Sequence, residues 1–325
     1  MNAPRPGTAL DATVDRYLQW KRALGRSYDG VERMLVSLLQ FMYDRAASDL
    51  DQNLFDEWSK SFASLTSNVR RNRQREVRNF CLYRQRTEPG CFVPDANRFP
   101  RPRPYCAPVI FGPDAVRRML AIAAQQRPTP GSPLLPIVLR LSVVLLYTAG
   151  LRRGELLRLT LADADPTAGV LRIRESKFHK SRFVPLSSDT CRELRAYLRL
   201  RLAPPLSAAP DSPLLCNTTR GLRAYTGTGL SRGLQSLIRS ANVQSADGRW
   251  PRVHDFRHSF AVQALLRWYR QGADVQSNLP KLAMYMGHVS IVSTAYYLKW
   301  IPDIAVVASD RFEARFGYLI SGDDS

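Results

Sequence analysis

Apolar residues recur at helical intervals along the first third of the chain. Between about Leu10 and Tyr83 they stand three or four positions apart, for example at Val14 and Leu18, and again at Leu35, Leu38 and Met42. This spacing places them on one side of an α-helix and is typical of helices that bury one face. We therefore predict an all-α unit in this part of the chain.

A proline-rich segment follows the helical pattern. Residues 94–112 contain prolines at short intervals among polar and charged residues. Because proline lacks a backbone N–H and fixes φ, such a segment disfavours helix and favours extended geometry. We predict a linker here, between a helical domain over residues 1–93 and a second domain over residues 113–325.

The second domain is predicted to combine helices with a small β-element. Between Gly169 and Ser187, alternating and β-branched residues flank SKFHKS and predict a β-hairpin. The expected fold class is mainly α, with two domains and one small β-hairpin or sheet. In the last predicted helix the inward side is expected to consist of Phe256, Phe260, Ala264 and Trp268. The predicted helices run over about Pro113–Ala124, Leu134–Tyr147, Thr190–Leu202, Tyr225–Ala241 and His254–Gln271.

The chain carries a large excess of positive charge. Lys and Arg number 47 against 28 Asp and Glu, which gives a net charge of +19. An excess of this size along the whole chain indicates a polyanionic partner, namely nucleic acid enclosed between basic surfaces. One predicted helix is crowded with arginines, and we expect it to contact DNA phosphates rather than to form a merely solvated face: Arg70, Arg71, Arg73, Arg75 and Arg78.

The cysteines and the N-terminus bear on the compartment. Five cysteines without a CxxC pair support neither a disulfide framework nor a zinc knuckle. The N-terminal sequence lacks the apolar core of an export signal, and the most apolar segment is interrupted by Arg140 and too short to span a bilayer. We expect a cytoplasmic, nucleoid-associated protein with no membrane partner.

Candidate catalytic residues cluster in two stretches. Three of the four histidines lie in one C-terminal stretch, which contains HDFRH, then His288, then Tyr297. Arg152 and Glu155 lie upstream, in AGLRRGELLRL. A guanidinium presents paired N–H donors to phosphate oxygens and stays charged, so Arg152 and Arg257 are expected to hold one phosphate.

The spacing within HDFRH brings its basic residues together. His254, Arg257 and His258 stand at i, i+3 and i+4, so they share one face of the predicted helix. A tyrosine hydroxyl, with an ordinary pKa of about 10, needs cationic neighbours or a base such as histidine to act as a nucleophile. A departing sugar oxygen needs a proton, and Lys177 and Lys180 at the predicted hairpin turn are both candidates to supply it.

Histidines at i and i+4 also occur in zinc sites. In this chain Asp255 stands where the HExxH pattern has glutamate, and no Cys, Asp or Glu set at ligand spacing completes a site. We therefore predict no metal site and no cofactor.

The sequence resembles the tyrosine recombinase, or phage integrase, family over about residues 110–310. Four segments carry the resemblance, in the family's order and spacing: AGLRRGELLRL, SKFHKSRFVPL, VHDFRHSFA and YMGHVSIVSTAYYL. The resemblance implies a catalytic set that consists of Arg152, Lys177, His254, Arg257, His288 and Tyr297. Glu155 and His258 would support this set. The family often has glycine and a small polar residue in the hairpin, where this chain has Phe178 and His179, so Lys180 competes with Lys177 for the lysine role.

The resemblance also implies a fold, a reaction and partners. An all-α core-binding domain would precede a tyrosine recombinase catalytic domain. Tyr297, rather than its neighbour Tyr296, would attack the scissile phosphate without metal or ATP, form a 3′-phosphotyrosine and release a 5′-hydroxyl. Lys180 and Arg182 are assigned as further DNA contacts. The implied partners are double-stranded DNA recombination sites, further copies of the chain in a tetramer, and accessory recombinase or DNA-bending proteins.

Two other functions stay open beside this one. A type IB topoisomerase uses a similar set of Arg, Lys, His and Tyr to relax supercoils as a monomer. A DNA-binding regulator on a degenerate recombinase scaffold would bind without cutting, although this chain keeps all the expected side chains. The expected task is integration, excision or resolution of a mobile element.

Overall fold

Helices dominate the described chain, and small antiparallel sheets complete it, so the predicted fold class is confirmed. The computed structural model describes residues 9–26, 28–104, 106–174, 181–218, 221–288, 290 and 292–300. The chain divides into two units, Met1–Cys106 and Ala107–Ser325. The division falls inside the segment predicted as the linker. No described helix is long and apolar enough to cross a membrane.

The first unit is helical. Its apolar core includes Tyr17, Leu35 and Val77, none of which has exposed surface. The carboxylate of Asp51 accepts a hydrogen bond from Leu54 N (2.8 Å) and thereby caps the third helix. The helices are α1 (Ala9–Ala23), α2 (Asp29–Tyr43), α3 (Gln52–Lys60) and α4 (Ser67–Arg84), followed by a 3₁₀ turn at Ala96–Arg98.

The two ends of the predicted linker are anchored to different units. Phe99 is 7% exposed and lies in the core of the first unit, and Arg103 N donates to the Asn68 side chain (2.8 Å). Phe111 is fully buried in the second unit, and its backbone N–H donates to Ser259 Oγ (2.8 Å). Hydrogen bonds and burial therefore hold each end of this segment on its own unit.

The second unit contains most of the secondary structure. Its helices are α5 (Pro113–Ala124), α6 (Leu135–Thr148), α7 (Arg153–Arg158), α8 (Ser188–Arg201), α9 (Gly227–Ser240), α10 (Asp255–Arg270), α11 (Val275–Met286) and α12 (Val292–Ala295), with 3₁₀ turns at Leu161–Asp163 and Tyr296–Trp300. Its strands are β1 (Ala164–Asp165), β2 (Val170–Ile173), β3 (Arg182–Pro185), β4 (Cys216–Asn217) and β5 (Arg223–Ala224).

Helix α6 forms the centre of this unit. It packs against α5, α7, α8, α9 and α10, and buried residues cover nearly its whole surface. Such a helix must be apolar all round, which explains its almost continuous apolar sequence. The helices around it carry the residues that form the candidate site.

The predicted β-hairpin strands are confirmed. β2 pairs antiparallel with β3, with Leu171 opposite Val184, and β1 adds a short third strand to the sheet. Both Leu171 and Val184 are fully buried, so this register places the apolar face of the hairpin on the core. Residues 175–180, which include Lys177 and Lys180, lie outside the described residues.

The inward side of α10 differs from the predicted one. Phe256 is buried as expected, but Phe260, Ala264 and Trp268 are only half-buried. The helix packs on both α6 and α11, so its buried stripe is wider than one row and displaced from the predicted row. The buried side chains along its middle are Ala261, Val262, Leu265 and Leu266.

Candidate active site

Arg152 lies where the chain enters α7. Its backbone N–H donates to Glu155 Oε2 (2.9 Å), so this glutamate caps the start of the helix. The side chain donates from Nη1 to Glu155 Oε1 (2.6 Å) and from Nη2 to Gly287 O (2.8 Å). It keeps 25% exposure, and these bonds use only part of its N–H donors. The guanidinium is therefore held from two sides and still accessible to a ligand.

Glu155 is a buried carboxylate between two arginines. In addition to Arg152, it accepts from Arg182 Nη1 at Oε1 (3.0 Å) and from Arg182 Nη2 at Oε2 (2.9 Å). Burial alone raises the pKa of this carboxyl, but the hydrogen bonds and charges of Arg182 and Arg152 outweigh burial and lower the pKa to about 2. Glu155 is therefore ionised at neutral pH and fully hydrogen-bonded.

Arg257 lies in the first turn of α10 and is 1% exposed. Its Nη1 donates to Gly150 O (2.6 Å) and its Nη2 to Met286 O (2.5 Å). Burial first, and then the charge of Arg152, lowers its pKa to about 10, so the group is still charged at neutral pH. This buried charge acts directly on the Tyr297 hydroxyl.

Gly150, whose carbonyl accepts the hydrogen bond from Arg257, has a conformation that favours glycine, and Gly150→Ala should destabilise the protein. Its φ is +59°, and an added Cβ would lie 2.4 Å from Phe260 Cδ1. Left-handed backbone strain and overpacking together predict a loss of roughly 2–4 kcal/mol in the free energy of unfolding. Circular dichroism during heating measures this loss as a lower Tm. Gly30→Ala is the control, because nothing lies within 4 Å of an added Cβ there. Equal Tm values for the two variants would contradict the prediction.

Three aromatic rings surround the Tyr297 ring. The His258 ring packs edge-on against Tyr297 (ring centroids 5.4 Å apart) and against His254 (4.9 Å), and His288 stacks on Tyr297 (6.1 Å). Tyr296 packs edge-on from the other side (5.9 Å). The predicted catalytic histidines and tyrosine are thus neighbours in the fold, although up to 43 positions separate them in the sequence, from His254 to Tyr297.

The two inner histidines are neutral at pH 7. Burial, followed by the influence of His254, lowers the pKa of His258 to about 4. Burial, followed by the charge of Arg257, lowers the pKa of His288 to about 4. The Nδ1 atom of His258 is buried, and in the part of the chain that the structure describes it has no hydrogen-bond partner. A neutral imidazole keeps a lone pair that can accept a hydrogen bond, and the lowered pKa makes each ring a weaker base than free histidine.

Tyr297 is 3% exposed and lies in the apolar cluster between α10 and α11. Burial raises the pKa of its hydroxyl, and the charges of Arg257 and Arg152 counteract part of this rise. The hydroxyl is therefore protonated in the free protein, and its ionisation requires a proton acceptor.

His254, in contrast, lies at the surface. It precedes α10, its side chain is exposed, and partial loss of solvent followed by the charge of Arg257 lowers its pKa. It lines a surface cleft together with Arg152, Arg153 and Arg252. Three guanidinium groups at one cleft favour an anionic occupant.

His288 is oriented by Thr294. Its Nδ1 lies 2.7 Å from Thr294 Oγ1, and Thr294 is completely buried. The backbone of His288 is fixed as well, because its N–H donates to Ala283 O (2.8 Å) at the end of α11. A fixed hydrogen bond at Nδ1 leaves Nε2 as the nitrogen able to serve the reaction.

Thr294→Val should therefore impair the site without changing its shape. Valine keeps the volume of threonine but leaves His288 Nδ1 without its partner, so we expect DNA cleavage to slow by about ten- to a hundredfold through misplacement of the ring. Single-turnover cleavage over a range of pH measures the effect. Thr294→Ser retains the hydroxyl and should stay near the parent rate; equal rates for both variants would refute the role of this hydrogen bond.

The five clustered arginines predicted to contact DNA phosphates, Arg70, Arg71, Arg73, Arg75 and Arg78, lie on α4. Arg71 Nη1 donates to Pro100 O (3.1 Å), so this side chain holds the segment after the first unit's core. DNA contact by this helix stays a prediction, with the exposed side chains as its best candidates. Arg73 and Arg75 are exposed, whereas Arg70, Arg71 and Arg78 are half-buried.

Arg182 has a different environment from the one predicted. It was expected to contact DNA, but its side chain is 12% exposed and its three nitrogen atoms donate to Glu155 and to Tyr285 O. A guanidinium committed in this way to protein acceptors has little left to offer a phosphate. Arg182 lies two positions before Val184, which is fully buried, so the strand places both side chains on the face that packs on the core.

Other features of the site had no clear signal in the sequence. Thr294 and the carbonyl groups of Gly150 and Met286 act through positions that only the folded chain defines. Within the part of the chain that the structure describes, no group of three or more His, Cys, Asp or Glu side chains is placed to hold a metal ion.

Relatives of known sequence cover nearly the whole chain. Residues 111–300 match the model of the phage integrase family. Over 306 residues the chain is 32% identical to the putative integrase/recombinase y4rB of Sinorhizobium fredii, and the match covers 93% of this chain and 96% of that protein. It is 28% identical over 206 residues to the tyrosine recombinase XerA of Thermococcus kodakarensis, with 63% of each chain covered.

Solved structures share the fold. The Tn1549 transposon integrase in complex with circular intermediate DNA has a TM-score of 0.57 at 19% identity, over 88% of this chain and 94% of that chain. The lambda integrase dimer bound to a COC′ core site has a TM-score of 0.58 at 15% identity, with the same coverage. Because the family match spans more than half of the chain and a relative matches nearly all of it, the chain belongs to the phage integrase family and is a tyrosine-type recombinase, an enzyme that breaks and rejoins DNA.

Proposed function

We propose that the protein cleaves DNA with Tyr297 as the nucleophile and rejoins the strand to a new partner. The observation that carries this proposal is the position of Tyr297, whose ring lies against His258 and His288 and whose hydroxyl is under the charge of Arg257. Arg152 completes the arrangement, because it keeps an accessible guanidinium in the same site.

The residues have complementary roles in the proposed reaction. The Tyr297 oxygen attacks phosphorus, the bond to the 5′ oxygen breaks, and a 3′-phosphotyrosine and a 5′-hydroxyl result. Negative charge grows on the non-bridging oxygens, where Arg152 and Arg257 stabilise it, with His254 and His288 as further donors. We assign protonation of the leaving oxygen to Lys177 or Lys180 of the hairpin.

Attack by Tyr297 requires that its hydroxyl lose a proton to a neighbouring acceptor. The phenol is protonated in the free protein because burial raises its pKa. His258 is neutral, its ring is adjacent, and its Nδ1 has no hydrogen-bond partner among the described residues. We assign the role of proton acceptor to His258. Since one phosphodiester replaces another, the reaction needs neither ATP nor a cofactor as an energy source.

The proposed partners follow from charge and from the relatives. A net charge of +19 suits a protein that surrounds duplex DNA, and the exposed arginines of α4 would contribute contacts to phosphates. The similar lambda and Tn1549 integrases are bound to a core site and to circular intermediate DNA. We propose that this chain acts as a tetramer on double-stranded recombination sites of a mobile element in the nucleoid, with accessory recombinase or DNA-bending proteins.

A trapping experiment tests the proposed chemistry. The full-length protein is incubated in chelator with nicked duplexes tiled across the DNA that flanks its own gene. When a nick lies close to the cleavage point, the short 5′-hydroxyl fragment diffuses away and the covalent adduct accumulates. Mass spectrometry of the DNA-linked peptide should identify Tyr297. Tight binding of such duplexes without any adduct would overturn the proposal.

A further inference from the structure

Three consecutive carbonyl groups at the C-terminal end of α11 each accept a hydrogen bond from an arginine of another element. The last carbonyls of a helix lack partners within the helix and carry its partial negative charge, so arginine is well suited to them. The pairs are Arg182 Nε with Tyr285 O (2.8 Å), Arg257 Nη2 with Met286 O (2.5 Å) and Arg152 Nη2 with Gly287 O (2.8 Å).

Arg182 differs from the other two arginines in how fully the protein occupies it. Its Nη1 and Nη2 both donate to Glu155, its Nε donates to Tyr285 O, and the side chain is 12% exposed. It thereby links three elements, β3, α7 and α11. Glu155 in turn accepts hydrogen bonds from the backbone N–H and the Nη1 of Arg152. The Glu155 carboxylate therefore connects Arg182 to the accessible guanidinium of Arg152.

We propose that Arg182 is a positioning residue for the reaction, which fixes Arg152 through Glu155 and fastens the end of α11 from which His288 continues. This inference rests on the proposed function, because it assigns Arg152 and His288 to the reacting phosphate. Arg182 sets both residues in place before DNA arrives and does not itself touch the DNA. A preset arrangement of donors lowers the reorganisation needed during the reaction.

The end of α11 is shaped to receive this side chain. Gly287 has a φ of +65°, and a Cβ at this position would lie 3.0 Å from Arg182 Nη1 and 3.3 Å from its Cζ. Glycine alone adopts this left-handed backbone without strain and also leaves space for the guanidinium. The close packing of Arg182 on the turn before His288 is therefore part of how the turn is built.

The electrostatics of Glu155 make the role measurable. Within the described part of the chain, the charged groups that face it are Arg152, Arg182 and Arg257. Burial raises the pKa of Glu155, and the hydrogen bonds of Arg182 are the foremost opposing influence. Without Arg182 the pKa of Glu155 should rise, so protonation of Glu155 at moderately acidic pH would release Arg152.

The test compares Arg182→Gln and Arg182→Lys with a matched control, Arg174→Gln. Arg174, just beyond β2 of the same sheet, also donates to a buried carboxylate, that of Asp163 (Nε to Oδ1, 2.5 Å). Both glutamine variants remove an arginine from a buried acid, but only one of these acids belongs to the site. Adduct formation on the nicked duplex that traps the parent, duplex Kd against salt, and thermal unfolding are measured from pH 4 to pH 8.

The expected result separates positioning from DNA contact and from simple destabilisation. Arg182→Gln should form adduct about a hundredfold more slowly, while its duplex Kd and salt slope stay unchanged. As the pH is lowered, it should lose activity at a higher pH than Arg174→Gln does. Arg182→Lys, which keeps the charge, should fold and should lose less of the rate of adduct formation. Weaker binding with a salt slope reduced by about 0.9 would instead make Arg182 a phosphate contact. Loss of rate in both glutamine variants with identical pH profiles would make it a merely structural residue. Either outcome overturns the proposal.

Failure of the proposed function would be visible separately. If the parent protein forms no adduct on any duplex, the chemistry proposed for Tyr297 fails, and unfolding still tests the link from Arg182 to Glu155. A depressed pKa in the folded state stabilises the protein above the unfolded pKa of Glu155 and loses this contribution as pH falls towards the folded value. Arg182→Gln should therefore lower Tm more at pH 7 than at pH 4, and an equal loss at both pH values would refute the link.

Discussion

The Tyr297→Phe protein is expected to bind DNA as the parent does and to form no covalent adduct. The substitution removes one hydroxyl from a ring that is 3% exposed, and the ring keeps its packing against His258 and His288. Without the hydroxyl no oxygen is available to attack phosphorus, so the loss of cleavage should be complete within detection. The charge of the protein is unchanged, so duplex affinity and its salt dependence should also be unchanged.

Tyr296→Phe is the matched control for this prediction. Tyr296 adjoins Tyr297 in the sequence, and its ring packs edge-on against it at 5.9 Å. This variant should keep cleavage within about twofold of the parent, as expected for a change outside the reacting group. Adducts are counted on denaturing gels with the nicked duplex, and binding is measured in parallel. Adduct formation by Tyr297→Phe, with the DNA linked to the Tyr296 peptide, would reverse the two assignments.

Local patterns predicted the elements of the fold because each depends on nearby residues. The start of α5 at Pro113 and its end at Ala124 agree with the prediction, since proline at a helix start and an apolar period are both local signals. The central α6 was recognisable from its continuous apolar run. The buried side of α10 was predicted only in part: Phe256 is buried and Phe260, Ala264 and Trp268 pack half-buried against the core, because two neighbouring helices, rather than the period alone, determine which residues are covered.

The candidate site was predictable in its residue types but not in its connections. Arginine, histidine and tyrosine in that order suggest phosphate chemistry whatever the fold. The acceptors of Arg257 are the carbonyl groups of Gly150 and Met286, which belong to segments far from it in the sequence and have no side-chain signature. The environment of Arg182 was missed for a similar reason, because a basic residue beside a hairpin is more often exposed than paired with a buried acid.

Arg152→Lys is expected to slow cleavage by about a hundred- to a thousandfold, the effect of removing one preset donor to a transition-state oxyanion. In the parent, Nη1 and Nη2 hold Glu155 Oε1 and Gly287 O, and the planar group extends further donors from fixed positions. A lysine ammonium carries its three donors on a single nitrogen, so contact with both protein acceptors leaves it poorly placed to reach a phosphate. The charge is conserved, so binding should change little.

Arg153→Lys separates this geometric effect from a general effect of the substitution. Arg153 is the next residue, is exposed at the same cleft, and donates from Nη1 to Ser231 Oγ (2.7 Å), whereas Arg152 is held by Glu155 and Gly287. Its replacement should leave the cleavage rate within about twofold of the parent, as is usual for exposed positions. Single-turnover rates, duplex Kd and Tm are measured for both variants. Equal rates for Arg152→Lys and the parent would show that the site needs only a positive charge here, whereas intact binding and folding with lost cleavage would assign to the guanidinium of Arg152 a contact made chiefly in the transition state.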